Sequence, residues 1–230
     1  HSITAVATDN SGQKTTSTAV VINVVTPITS IYQNASTDVW TNTANWTPAT
    51  IPSSAIDTAI IRTGEVKVAT DILPVIKVET NGIFRFTDSI SVSDIRLQGG
   101  VLKSYTSAPV FILTSTISVE QSSTILAGSL STSFLYLNGT VKGTGNLTKT
   151  GIGILRLNTS ATSYTGIWIV REGNLQLRNS NGLGLCGVEV DSSAILDIET
   201  SASTNALVLK PYAKLNLDAN LTVQMAIFGD

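Results

Sequence analysis

The sequence predicts an all-β protein, and among all-β folds a β-solenoid. Short strands separated by Gly, Asn, Asp or Ser recur roughly every 8–12 residues from about residue 57 onward, while helical periodicity with caps appears nowhere. That spacing alone fits a sandwich, a barrel or a solenoid. Three features favour the solenoid. The strand segments are very short, their inner positions are mostly Leu, Ile and Val, and a unit of the form G-x-L-x-L-x-N returns with variation as GILRLN, GNLQLRN, AILDIET and AKLNLDA. Stacked coils place like residue above like, so such a unit builds apolar ladders inside and polar ladders at the corners.

Composition bounds the function classes. Apolar residues make up 42% of the chain, enough for a continuous core, and only 13% are charged. Ser, Thr, Asn and Gly cover the surface instead, which suits an extracellular β protein better than a cytosolic enzyme. The formal net charge is −2 and no basic block occurs, so a nucleic-acid partner is not expected. No apolar run approaches the roughly 18 residues of a membrane helix, so no membrane insertion is expected. The lone cysteine, Cys186, has no partner within the chain and sits among apolar neighbours, as a small buried residue would.

The elements follow in order. In residues 1–25, Ile3, Ala5 and Ala7 and then Val20, Ile22 and Val24 alternate on either side of Asp9-Asn10-Ser11-Gly12. This predicts a hairpin of two half-buried strands. Two strands alone are marginal in water, so the hairpin either caps the next domain or belongs with strands that precede it. Residues 26–37 read as a linker. Residues 38–230 read as the solenoid, opening on an irregular segment with Trp40, Trp46 and prolines, and closing on LTVQMAIFGD, an apolar strand that is expected to continue into further chain. About 190 residues at about 22 per coil give roughly eight or nine coils, and at ~4.8 Å per coil a rod about 40 Å long.

Two stretches resemble known families. Residues 2–25 are similar to the last two strands of a bacterial immunoglobulin-like domain, which implies one piece of a larger, multi-domain secreted protein. Residues 143–177, GTGNLTKTGIGILRLNTSATSYTGIWIVREGNLQL, resemble the autotransporter-associated β-strand repeat. The match rests on Gly143, Gly145, Leu147-Thr148-Lys149, Gly151, Gly153, Leu155, Leu157, Tyr164-Thr165-Gly166, Val170, Gly173, Leu175 and Leu177. Residues 38–61, with Trp40, Asn45-Trp46 and Asp57-Thr58-Ala59-Ile60-Ile61, are similar to the segment that opens such helices. The resemblance implies a right-handed parallel β-helix in a secreted or surface-displayed protein, at the outer surface of a Gram-negative bacterium. It also implies a non-catalytic stalk or adhesin passenger, held by secretion or anchoring machinery.

Many parallel β-helices act on polysaccharides, so an enzyme or an accessory carbohydrate-binding module is the alternative. Lyases need a Brønsted base and often calcium-holding acids, and hydrolases need two carboxyl groups about 5–9 Å apart. The densest charged region, Arg62 to Lys103, alternates in sign between apolar residues and reads as a solvated face with loose ion pairs. No acid cluster has calcium spacing, and the loop at Asp9 reads as a plain turn. The sequence therefore assigns no catalytic residue, no metal and no cofactor.

Sugar rings stack on exposed aromatic faces, so the candidates for contact with a polysaccharide or cell-surface glycan are aromatic. Trp168 replaces the Thr usual in the repeat and stands where both parities are apolar, so it either fills the core or forms an outer platform. Tyr164, Trp40 and Trp46 are the other candidates, although each matches its family motif and so reads first as structural. Finally, Asp57-Thr58-Ala59 and Asp88-Ser89-Ile90 resemble the O-glycan acceptor of bacteria with type IX secretion, which marks Thr58 and Ser89 as modification candidates.

Overall fold

The computed structural model describes residues 2–21, 25–104 and 110–229. It is an all-β parallel solenoid of about eight turns, preceded by a small antiparallel hairpin. Successive strands alternate between two long sheets, one of 12 strands and one of 10, and neighbours within each sheet come from successive turns. The longer strands bend. In Phe134–Gly143, residues 134–137 pair with Ile154–Leu157, while residues 140–143 pair with Ser160–Tyr164. The coil therefore has three walls. Residues 134–137 lie in the first wall, 140–143 in the second, and Leu147–Thr150 in the third.

Register makes the core. On the first wall Leu135, Leu155, Leu175, Leu196 and Leu215 stand in one column, each paired with the next. On the second, Ala59, Ile76, Ile95, Ile117 and Val141 do the same. On the third, Val66, Phe84, Leu102 and Ile125 form the column. Strand side chains alternate with period 2, so each inward Leu or Ile is flanked by outward residues, and the strand burial patterns alternate accordingly. Turns differ in length: Leu102 pairs with Ile125, but Leu155 with Leu175. Some of the extra residues are taken up at register shifts within strands, as between Ser91 and Asp94, and the inward columns continue past them.

Glycine is required where one coil lies tightly on the next. Gly143 has φ +109°, and a Cβ there would stand 2.3 Å from the Val119 carbonyl oxygen. Gly151 has φ +79°, and its Cβ would meet the Gly128 carbonyl at 2.6 Å. Any side chain would force the turns apart.

Lys149 occupies a core position. Its backbone is in register with Ile125 on one side and Val170 on the other, so the side chain points inward and is fully buried. Its ammonium donates to the carbonyls of Thr150 (3.2 Å), Glu172 (2.8 Å) and Gly151. The amine serves as a cap for turn carbonyls that the corner would otherwise bury without donors. Burial pushes its pKa down to about 8, with the Glu172 charge opposing.

The first turn is closed by a compact cap. Trp46 packs edge-on against Trp40 at 4.8 Å and against Tyr32 at 5.5 Å, and its Nε1 donates to the Trp40 carbonyl at 3.0 Å. Trp46–Thr47 pairs antiparallel with Thr29–Tyr32, which occupies the outer edge of that strand. Asp38 accepts from Asn42 and Asn45, both at 2.8 Å. Asp57 accepts from the N–H groups of Ile28 (2.9 Å), Ser53 (3.0 Å) and Ser54 (2.8 Å), tying the incoming chain to the cap loop. Burial alone would raise the Asp57 carboxyl, but the donors on Ile28, Ser54 and Ser53 outweigh it and hold the pKa at about 2. The other end is different: Leu217, Met225, Ile227 and Phe228 of the last turn are each more than half exposed.

The hairpin corrects one expectation. Val6–Thr8 pairs with Lys14–Thr16 and Ser2–Ile3 with Val20–Val21 around the predicted turn. Its strands are expected to be half-buried, yet Ile3, Val6, Val20 and Val21 are all exposed, since no described residue packs over them. Ile22 and Val24 lie outside the described residues. The Asp9 carboxylate accepts from Ser11 N–H, Ser11 Oγ and Gln13 N–H, so the loop itself uses the acid, as in a plain Asx turn.

Two predictions test these devices. Asp57→Ala leaves three backbone donors without their acceptor and is expected to cost about 2–4 kcal/mol, read by denaturant unfolding. Because the folded pKa lies below the unfolded one, the contribution of Asp57 is present above about pH 4 and lost as pH falls toward about 2. Lys149→Met keeps the volume but leaves the corner carbonyls unpaired. It should lower stability by about 1–3 kcal/mol, and wild-type stability in that variant would show that the ammonium is dispensable.

Candidate functional site

The four aromatic candidates all belong to the interior. Trp168 is in register with Leu147 and Val188 on the third wall, is fully buried, and packs edge-on against Tyr164 at 5.5 Å. Tyr164 is equally buried and donates to the Ile167 carbonyl at 3.0 Å. Of the two roles the sequence left open for Trp168, the geometry matches the core filler, and no ring face is available to a sugar. The parity explains it: Trp168 and Val170 point inward, and Ile167 points out at 39% exposure. Trp40 and Trp46 form the cap described above. Trp40 is 6% exposed and lines two clefts, one with Ile51, Pro52 and Leu73 and the other with Lys67, Ala69 and Thr87, while Trp46 is 2% exposed.

The modification candidates differ in access. Thr58 is half-buried and starts the strand Thr58–Ile61, with its N–H bound to the Ile28 carbonyl. Ser89 lies on an exposed corner, where its Oγ accepts from Ile112 N–H at 3.0 Å. Cys186 is buried and donates to the Leu183 carbonyl, and burial pushes the thiol up to about 12, so it is no nucleophile at neutral pH.

Two further concavities lie on the second wall and at its corner with the first. An open groove of about 650 Å³ is lined by Asp94, Arg96, Ser118, Glu120, Lys142, Gly143 and Ser163, among others. Register assembles it: Lys77, Arg96, Ser118, Lys142 and Ser163 form one outward column across successive turns. Asp94 pairs with Arg96 at 2.9 Å and accepts from Ser118 Oγ at 3.3 Å. The hydrogen bond and charge of Asp94 raise the Arg96 pKa. Glu120 accepts from Gln98 at 2.5 Å. Beside this groove, at the corner with the first wall, lies a second of about 470 Å³, mostly apolar and edged by the hydroxyl-bearing residues Ser91, Ser93, Thr114 and Thr116.

The charged stretch read as a solvated face is more ordered than that. Glu65 is buried on the third wall beneath Arg85 (2.6 Å) and Lys103 (2.7 Å), which come from the next two turns. Burial alone would raise its carboxyl, but these two cations hold it below the ordinary value. Sequence alone cannot show this cluster, since it joins residues of three coils. Among the described residues no group of His, Cys, Asp and Glu could hold a metal ion, and no helix is long and apolar enough to cross a membrane.

Trp168→Ala opens a large cavity and is expected to cost about 3–5 kcal/mol, whereas Trp168→Phe should cost far less. Both variants remove the indole N–H, which has no hydrogen-bond partner among the described residues, so the difference between them is the cavity alone. Thermal unfolding of the two variants checks the order.

No protein-family model, no curated protein and no solved structure matches this chain, so what is established of its kind is the fold, a β-solenoid of about eight turns.

Proposed function

We propose that this chain is a non-catalytic rod of a secreted or surface-displayed bacterial protein, which holds a polysaccharide in the groove of its second wall. The observation that carries the reading is the register column Arg96–Ser118–Lys142–Ser163 beside Asp94 and Glu120. Successive turns present donors and acceptors one strand step apart, the arrangement that binds a chain of hydroxyl-bearing units. Asp94, Arg96 and Ser118 are already engaged with one another, and Glu120 with Gln98, which pre-orders that part of the surface. The passenger-type repeat at residues 143–177 and the Ser/Thr/Asn-rich surface support display outside a Gram-negative cell. The likeness of the hairpin to an immunoglobulin-like domain supports a multi-domain protein. Export by the type IX route, with O-glycans at Ser89 or Thr58, rests on the short acceptor motif alone.

One observation favours a second reading, a polysaccharide lyase or hydrolase. Two carboxylates, Asp94 and Glu120, share the groove with Lys142, which has no ion-pair partner among the described residues. Affinity electrophoresis against a polysaccharide panel, with assays for new reducing ends and unsaturated products, separates the two. Binding without cleavage, weakened about tenfold in Lys142→Ala and Arg96→Ala, is the expected result. Cleavage abolished by Asp94→Asn or Lys142→Ala would replace the rod by the enzyme. No binding to any glycan would remove the groove from consideration.

A further inference from the structure

The outward face of the first wall carries a different arrangement. Phe134 and Tyr136 point out between the inward Leu135 and Leu137, and their rings lie 6.0 Å apart, tilted by 31°. The Arg156 guanidinium, one turn along, sits 4.8 Å from both ring centroids and donates to Tyr136 Oη at 2.6 Å. Its Nε donates to Gln176 on the following turn, and Gln176 donates onward to Asp197 at 2.9 Å and to Glu199. Tyr136, Arg156, Gln176, Asp197 and Asn216 are one column in register. The column is extended at its apolar end by Ile112, which is 38% exposed. From Ile112 to Asn216 the strip crosses five strand steps, about 24 Å at ~4.8 Å each.

We infer that this strip is a second glycan-binding surface, and that its ligand is a neutral, extended β-linked polysaccharide lying along the rod axis. Three properties select that class. The apolar end offers aromatic and aliphatic area for the C–H faces of sugar rings. The polar end offers the Asp197 and Glu199 carboxylates and Asn216 to ring hydroxyls, with the buried Gln176 amide holding the two carboxylates in place; Asp197 and Asn216 stand one strand step apart, close to the advance of one ring in an extended chain. The charges offset each other: Arg178 pairs with Glu199, Arg156 lies 4.0 Å from Glu199, and Asp197 balances the second cation. A face without net charge gives no advantage to a polyanion. The side chains are held before any ligand arrives, because Arg156 lies over two rings and bonds Tyr136 and Gln176, so little rotamer freedom remains to be lost on binding.

The test is affinity electrophoresis of the whole chain in gels containing hydroxyethyl cellulose or polygalacturonate, at low and high salt. Tyr136→Ala removes a ring. Ile112→Lys adds a charge to the apolar end without removing packing, and unchanged thermal unfolding confirms that it folds. Retention by the neutral glycan, indifferent to salt and about tenfold weaker in both variants, is the expected outcome. Retention that is unchanged in both variants, or seen only with polygalacturonate and abolished by salt, overturns the assignment. Loss in Lys142→Ala alone also overturns it, while leaving the groove of the second wall standing.

Discussion

The backbone ladder between successive turns is the constraint on which everything else depends. Most inner strands of the solenoid pair in parallel with the strand one turn before and the strand one turn after. Parallel pairing keeps like positions in line, so a side chain is defined less by its neighbours in sequence than by those about one turn away. The inward columns of Leu, Ile and Val follow from that alignment. So do the tight approaches at Gly143 and Gly151, where a carbonyl of the preceding turn occupies the space a Cβ would need.

The same alignment turns isolated polar residues into systems. Glu65 is stabilised by Arg85 and Lys103 from later turns, and Arg156 by a tyrosine from the turn before and a glutamine from the turn after. Neither arrangement involves sequence neighbours. Even the buried amine of Lys149 works across turns, since one of its acceptors belongs to Glu172. Outward columns on a solenoid are thus pre-ordered in a way that single strands are not, and an extended ligand meets the same spacing at every turn.

Most of the fold is legible in the sequence, because strand alternation and the recurring G-x-L-x-L unit are local signals. The solenoid, the turn at Asp9 and the inward Leu155, Leu157, Leu175 and Leu177 can all be read from them. The surface is less legible. The tryptophans draw attention because sugar binding favours aromatics, yet their motif parity puts Trp168 inside and closes Trp40 and Trp46 into the cap. The outward pair Phe134 and Tyr136 was visible as the alternation F-L-Y-L, but its meaning depends on Arg156, Gln176 and Asp197 from three later turns. The groove at Asp94 and Lys142 depends likewise on turn lengths that vary. Lys149 is unreadable for another reason: a lysine at an inward position makes sense only once the carbonyls of the corner are in place.

The cap on the first turn gives the rod one mechanically firm boundary. One end is closed by interlocking indole rings and a carboxylate bound to three backbone donors. In a structure whose turns hold only their neighbours, tension does not load the whole body at once but the weakest boundary. Pulled along its axis, such a rod yields turn by turn, and the turn locked into the cap is the last to unwind.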